Sequence, residues 1–130
     1  DGRTYPWGNT FNGNALNFCD SNCPLDWADG SYDDGYTFTA PVGSYPDGAS
    51  PYGVYDMAGN VWEWVADWYG ENYYSSSPSE NPQGPSSGTY RVLRGGSWGI
   101  IVYRVRSAYR IRDYPGIAFY YGGFRCASSP

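Results

Sequence analysis

Residues 91–125 constrain the fold most, because their two ends are rigid in character while their middle follows no regular period. The ends read RVLRGGSW (91–98) and GGFR (122–125), and the stretch between them is crowded with Tyr, Ile, Arg, Phe and Gly. That stretch neither alternates like a half-buried strand nor repeats every 3.6 residues like a helix. Tyr and Arg in a Gly-rich setting are typical of contact surfaces. We therefore predict a displayed binding surface that the rest of the chain holds in place.

Little helix is expected anywhere in the chain. Its 130 residues include 15 Tyr, 6 Trp and 5 Phe, whereas strong helix formers are scarce and Lys is absent. Aromatic rings can fill a core that is poor in aliphatic residues. Because the length suits one modest core and no repeat or internal linker is evident, we predict a single α+β domain over 1–130. Its strands should be short and its loops many.

The strands are expected at 37–41, 54–57, 89–98 and 123–127. The third of these, TYRVLRGGSW, resembles a strand that runs into a tight Gly-Gly bend. Residues 70–88 are rich in Ser, Pro and Gly, which is typical of an exposed loop.

The net charge of −5 limits the classes of partner. A nucleic-acid partner is disfavoured, because phosphate binding needs a basic surface. No apolar run reaches membrane-spanning length and no signal peptide is visible. The acidic residues cluster in the first two-thirds, which favours bound cations. The opening DGRTYPWG suits a mature fragment, a trimmed chain or a minimal domain.

The odd number of cysteines argues against a full disulfide framework. Cys19 and Cys23, in CDSNC, do not have the spacing of a CxxC metal pair, and zinc would lack further soft ligands nearby. A small disulfide loop is expected if the protein is exported, and two reduced thiols if it is cytosolic. Cys126 is expected to be a buried small apolar group.

Motifs spread along the chain resemble the formylglycine-generating enzyme family. They are YPWGN (5–9), DDGYTFTAPVGSYP (33–46), YDMAGNVWEW (55–64), RVLRGGSW (91–98) and GFR (123–125), in the family's order. The resemblance implies a C-type-lectin-like fold. The N-terminal portion of the family domain is missing from this sequence.

The resemblance does not extend to the family's chemistry. Its enzymes activate copper and oxygen with a pair of cysteines just after the GGSW-type motif, where this chain has Ile101 and no Cys until Cys126. A related branch holds iron with histidines, and this chain has no His. Without a thiolate or a histidine ligand, we expect no copper, no iron and no catalysis.

The resemblance does imply two structural calcium sites built from side-chain and backbone oxygens. The residues that match the first site are Asn17, Phe18, Asp34 and Tyr36. The residues that match the second site are Asp56, Gly59, Val61 and Glu63. The alternative for Asp56 and Glu63 is a turn cap with a salt bridge to a framework arginine such as Arg94.

The middle of the segment resembles the variable region of proteins that are diversified by diversity-generating retroelements. The constant frame would be Arg94–Trp98, Arg106–Ala108, Arg110, Pro115 and Gly123–Arg125. The varied positions, which we predict to contact ligand, would be Gly99, Ile100, Ile101, Tyr103, Arg104, Tyr109, Ile111, Arg112, Asp113, Tyr114, Gly116, Ile117, Phe119, Tyr120 and Tyr121. Adenine mutagenesis of AAC or AAT codons cannot yield Glu, Gln, Lys, Met or Trp, and none of these lies between Gly99 and Gly122.

Two other residue groups have a structural and a functional interpretation. We expect the frame arginines to bond carbonyls or pair with Glu63 or Asp67, because a guanidinium fork suits structural pairs. At the varied positions Arg104 and Arg112, ligand contact is expected instead. The tryptophans could stack on sugars, but a chain poor in Leu and Ile should bury them; they are Trp62, Trp64, Trp68 and Trp98.

The leading interpretation is a non-enzymatic binding protein with a varied surface on a calcium-stabilised scaffold. Its partner would be a protein or cell-surface ligand of variable identity, and a glycan is possible. An extracellular, cell-surface or virion-displayed location is favoured. The alternatives are a formylglycine-generating-type oxidoreductase, and a fixed sugar-binding or regulatory domain that has lost catalysis.

Overall fold

A computed structural model describes residues 2–127. Its strands are β1 (Trp62–Trp68), β2 (Arg91–Arg94), β3 (Ile111–Asp113) and β4 (Gly122–Gly123). The helical segments described are short 3-10 turns, at Gly13–Ala15, Pro46–Gly48, Tyr73–Ser75 and Val102–Val105. None of the helices within 2–127 has the length and apolarity needed to cross a bilayer. The prediction of short strands, many loops and little helix is confirmed.

The strands form one mixed sheet in the order β3-β2-β1-β4. Strand β1 pairs antiparallel with β2 and parallel with β4, and β2 pairs antiparallel with β3. Val92 and Leu93 are neighbours in β2 and both are buried. Because neighbouring side chains of a strand point to opposite faces, both faces of the sheet are covered at β2.

The strand predicted at 89–98 is shorter than expected and ends at Arg94. Gly95 and Gly96 follow it with φ of +89° and +82°. This left-handed conformation suits glycine and ends the strand in the predicted bend. The closing strand is also shorter than predicted, covering Gly122–Gly123 rather than 123–127.

The strands predicted at 37–41 and 54–57 are absent, because side chains take the backbone groups that a neighbouring strand would bond. The Asn60 amide accepts from the N–H of Ala40 at 2.9 Å and donates to its carbonyl at 3.1 Å. Asp56 has a φ of 55°, which a strand does not allow. The carbonyls of Tyr55 and Asp56 both accept from the Arg125 guanidinium.

Aromatic rings fill much of the core, as expected. One cluster of buried residues contains Tyr5, Leu16, Phe18, Ala58 and Val105, with further rings packed against it. A second contains Cys19, Cys23 and Trp98, with Leu25 and Tyr121 packed against it. Trp62 is 2% exposed and Trp98 is 5% exposed, so the core interpretation holds for these two tryptophans.

Candidate functional site

A cavity of about 370 Å³ lies between residues 97–121, strand β1 and the part of the chain just after the Cys19–Cys23 disulfide. We call it the aromatic cavity. Its lining from the constant part of the chain is Leu25, Trp27, Trp62, Ser97 and Trp98. Its lining from the varied positions is Gly99, Ile100, Arg104, Ile111, Tyr120 and Tyr121. The structure therefore brings predicted contact residues together that are more than twenty positions apart in sequence.

Rings continue outward from the buried Trp62 and Trp98. The Tyr120 ring, on a residue 79% exposed, stacks against Trp98 with centroids 6.1 Å apart. Tyr121 stacks against Phe119 at 4.8 Å, and Tyr109 lies 6.2 Å from Trp62. Rigid aromatic side chains supply large contact area at low conformational-entropy cost, so the arrangement suits recognition of a partner.

The varied positions hold the fold through their backbones more than through their side chains. All of the varied side chains are at least partly exposed, although Ile100 and Tyr121 pack partly on the core. The backbone of Ile111 pairs with Leu93, and the Tyr121 carbonyl accepts from the Trp62 amide at 2.8 Å. A hydrogen bond between backbone groups does not depend on which side chain the residue carries.

Other varied positions lie away from the aromatic cavity. Neighbours in β3 point to opposite faces, so Ile111 lines the aromatic cavity while the Arg112 guanidinium lies 4.7 Å from Tyr69 and 5.2 Å from Tyr90. The Tyr114 ring lies 4.7 Å from Tyr90. The remaining varied positions that do not line it are Ile101, Tyr103, Tyr109, Asp113, Gly116, Ile117 and Phe119.

Sequence reasoning missed Leu25 and Trp27 as cavity residues. The Trp27 indole donates from Nε1 to the Gly99 carbonyl at 3.0 Å, although 72 residues separate them. Leu25 packs against the cluster of Cys19, Cys23 and Trp98. No local pattern signals a contact of this range. The nearby CDSNC motif indicates two cysteines that can form a small disulfide loop, but it does not indicate what packs against that loop.

The cysteines differ from expectation at one position. Cys19 and Cys23 form a disulfide with Cα atoms 4.9 Å apart, which is the alternative expected of an exported protein. Cys126 is a free and exposed thiol, so the prediction of a buried apolar group was wrong. Phe124, near it in sequence, is also exposed, so the chain beyond β4 runs along the surface there.

The first predicted calcium set, Asn17, Phe18, Asp34 and Tyr36, does lie together. The Asp34 carboxylate accepts from the Phe18 amide at 3.0 Å and from the Tyr36 amide at 2.9 Å. Burial raises the pKa of Asp34 to about 6, against the opposing effect of these two amides, and nearby Asp20 adds to the rise. The carboxylate is therefore poorly compensated in this environment.

Asn17 has an unsatisfied oxygen in the same cluster. The residue is 1% exposed, and its Nδ2 donates to the Phe38 carbonyl at 2.7 Å and to Asn60 at 3.3 Å. Its Oδ1 has no hydrogen-bond partner among residues 2–127. An orphaned buried amide oxygen beside a carboxylate fits a hard cation, which prefers oxygen ligands. The Asn17 and Asp34 side chains could hold such an ion together with the carbonyls of Phe18 and Tyr36.

The second predicted set, Asp56, Gly59, Val61 and Glu63, also converges, around a separate cavity of about 470 Å³. Here a guanidinium already supplies the positive charge. Arg125 donates to both Glu63 oxygens, including one Nε–Oε2 bond of 2.7 Å. The second set therefore matches the salt-bridge alternative, with Arg125 in place of Arg94.

No group of three or more His, Cys, Asp or Glu side chains that could hold a metal is found within residues 2–127. A cation at the first set would accordingly depend on amide and carbonyl oxygens as well as on Asp34.

The frame arginines donate to backbone carbonyls, as predicted. Arg94 donates to the Ser107 carbonyl at 3.0 Å, and Arg106 donates to the Tyr103 carbonyl at 2.7 Å. Arg110 donates to the Gly70 carbonyl at 3.0 Å. The Arg94 and Arg110 bonds join segments 13 and 40 residues apart, whereas the Arg106 bond is local.

Comparisons with known proteins agree with the fold and the motifs. The family model described as the Sulfatase-modifying factor enzyme 1-like domain matches residues 1–130. The serine/threonine-protein kinase pkn1 of Chlamydia caviae is 55% identical over 91 residues, which cover 68% of this chain and 14% of that protein. The formylglycine-generating enzyme of Thermomonospora curvata is 39% identical over 137 residues, which cover 100% of this chain and 44% of that enzyme. The chain thus spans less than half the length of these relatives.

A solved structure supports the second resemblance. Treponema denticola variable protein 1 has a TM-score of 0.69 and 30% identity to this chain, and the match covers 95% of this chain and 40% of that one. The C-type-lectin-like fold is confirmed, and so is the likeness to a variable protein. From its motifs, its sheet and the match over residues 1–130, the chain belongs to the sulfatase-modifying factor enzyme 1-like family, that of the formylglycine-generating enzymes.

Proposed function

We propose that this chain is a non-enzymatic ligand-binding domain whose contact surface is varied by a diversity-generating retroelement. The aromatic cavity is the observation that carries the proposal. It combines varied side chains that are at least partly exposed with a constant floor of Trp62 and Trp98. The likeness to a solved variable protein supports the same conclusion. Binding would come from apolar contact with the rings and from charge contacts such as those of Arg104.

The state of the cysteines supports a binding role over catalysis. Cys19 and Cys23 are joined to each other, and Cys126 is the free cysteine of the described residues. Oxidative chemistry of the family's type uses two thiols, and a single exposed thiol does not supply them. Incubation with copper, oxygen and a Cys-containing sulfatase peptide should therefore yield no formylglycine. Copper-dependent turnover would overturn this part of the proposal.

The first predicted calcium set is proposed as a structural calcium site, because it holds the orphaned Asn17 oxygen and the desolvated Asp34 carboxylate. A bound ion would tie residues 17–36 together and lower the ordering cost of binding a ligand. For the second set we propose the Arg125–Glu63 ion pair as the stabilising element. The disulfide supports export to an oxidising compartment, where an extracellular or surface-displayed ligand would be met.

Sequencing the DNA around the gene tests the origin of the variation. We expect a near-copy of the codons for 91–125, with AAC or AAT at the varied positions, beside a reverse transcriptase gene. Its absence would contradict diversification but not ligand binding.

A displayed library tests binding separately. One library would vary the aromatic-cavity positions, and a matched library would vary an equal number of exposed positions in 70–88. Selection against a panel of purified proteins and glycans should enrich binders from the first library only. Equal enrichment from both libraries would contradict a special role for the aromatic cavity.

A fixed regulatory domain is the second candidate, and the kinase relative favours it. The match to the Chlamydia caviae protein covers 68% of this chain at 55% identity, so a similar segment exists within a protein named as a serine/threonine kinase. In that case the residues at the varied positions would be the same in every copy of the gene from one population. Deep sequencing of this locus separates the two candidates.

A further inference from the structure

Another cavity shares no lining residue with the aromatic cavity. Its volume is about 550 Å³, and its lining is Gly2, Arg3, Thr4, Tyr69, Arg106, Ala108, Tyr109 and Arg110. We call it the arginine cavity. Its lining within residues 2–127 includes three arginines and no carboxylate, although the whole chain carries a net charge of −5. Positive side chains are therefore concentrated where a negative group can enter.

Arg110 is held in place before any ligand arrives. Its guanidinium lies 4.5 Å from the Tyr69 ring and 4.5 Å from the Tyr74 ring. Its Nη2 donates to the Gly70 carbonyl at 3.0 Å. A guanidinium has five N–H donors. Those on Nη1 and Nε make no hydrogen bond to any residue in 2–127. A donor fixed in this way loses little conformational entropy when it binds.

Arg106 supplies a second set of donors at the same cavity. It is exposed, and the hydrogen bond it makes within the described residues runs from Nε to the Tyr103 carbonyl at 2.7 Å. Its two terminal nitrogens therefore remain available. Planar guanidinium forks match the geometry of carboxylate, phosphate and sulfate oxygens, and hydrogen bonds between ions are stronger than neutral ones.

We infer that the arginine cavity binds an oxyanion, either a carboxylate or a phosphate or sulfate ester, through Arg106 and Arg110. Both arginines belong to the constant frame, as does Ala108 between them. Such a site would therefore be the same in every variant of the domain, while the varied Tyr109 forms one of its walls. Anion binding at the arginine cavity is separate from ligand binding at the aromatic cavity and does not depend on how the varied surface arose.

Titration with small anions, followed by nuclear magnetic resonance of the backbone amides, tests the inference. Sodium sulfate and sodium acetate are added separately at constant ionic strength, which distinguishes a tetrahedral from a planar group. The amides of Thr4, Ala108 and Tyr109 should shift along a saturable curve for at least one anion. Linear shifts without saturation for both anions would overturn the inference.

Two substitutions with the same change in charge provide the control. Arg106→Gln should weaken anion binding about tenfold, because charge-assisted hydrogen bonds are lost. Arg91→Gln should change it less than about twofold, since Arg91 does not line the cavity and stacks on Trp68, which does not line it either. Equal weakening by both would show a general charge effect and overturn the inference. Arg110→Lys keeps the charge but loses the fork, and it should also weaken binding.

Discussion

Calcium should raise the melting temperature of this domain, because the buried Asn17 oxygen has no hydrogen-bond partner among the described residues and the half-buried Asp34 carboxylate has a raised pKa. Free calcium at about 100 times its dissociation constant would stabilise the fold by about 2.7 kcal/mol. An unfolding entropy of about 2.1 cal/mol/K per residue, taken over the chain's 130 residues, converts this to a rise of about 10 °C. Differential scanning calorimetry in 5 mM calcium and in excess EGTA measures the difference.

Variants locate the effect. Asn17→Ala and Asp34→Asn should lose the calcium-dependent rise, because the first removes a proposed oxygen ligand and the second removes the negative charge that the ion would neutralise. Glu63→Gln and the exposed-site control Asp47→Asn should keep it, since neither touches the first set. Magnesium should not reproduce the rise, because it demands a tighter octahedral geometry. A rise below about 2 °C, or a full rise in Asn17→Ala, would refute the reasoning.

Three further predictions concern stability and are measured by chemical denaturation. Trp98→Ala should cost about 3–5 kcal/mol, because it empties a buried site beside the disulfide; a cost below about 1 kcal/mol would contradict its core role. Arg125→Gln should cost about 1–2 kcal/mol by leaving Glu63 without its partner, and Glu63→Gln in the same background should add little; an additive cost would contradict the pairing. Replacing Cys19 and Cys23 by Ser should cost about 2 kcal/mol, as expected for a short closed loop; unchanged stability would mean that the loop is held by packing alone.

Swapping several varied residues at once should leave the melting temperature nearly unchanged. The clearest case is Tyr120, whose side chain is mostly exposed. Ile100 and Tyr121 are expected to be the most costly, because both pack partly on the core. Thermal scans of combined variants check this, and a large drop with swaps confined to exposed positions would show that the varied side chains hold the fold.

Features that depend on a residue's own backbone or its near neighbours could be predicted from the sequence. The Gly95–Gly96 bend follows from glycine's access to positive φ, and β2 follows from the apolar pair that precedes the bend. The residues of each predicted calcium set also lie together, because the resemblance carried spatial information that spacing alone does not hold.

Features that depend on a partner distant in sequence could not be predicted. Glu63 pairs with Arg125 rather than Arg94, because the parallel pairing of β4 with β1 brings the end of the chain to Glu63. The segment 37–41 has the composition of a strand, yet the Asn60 side chain takes the backbone groups of Ala40. Trp27 reaches Gly99 across the disulfide loop. In each case contacts between residues distant in sequence decided the outcome.

The backbone pairing at the varied positions limits which sequences the segment can accept. Ile111 pairs with Leu93 within the sheet, and the amides of Arg104, Tyr109 and Ile117 each donate to a carbonyl three residues earlier. Proline has no such N–H. An AAC or AAT codon becomes a proline codon when both adenines change to cytosine, so proline is within reach of adenine mutagenesis. A repertoire made in this way would lose members that carry proline at these positions, and the surviving diversity would be smaller than the codons allow.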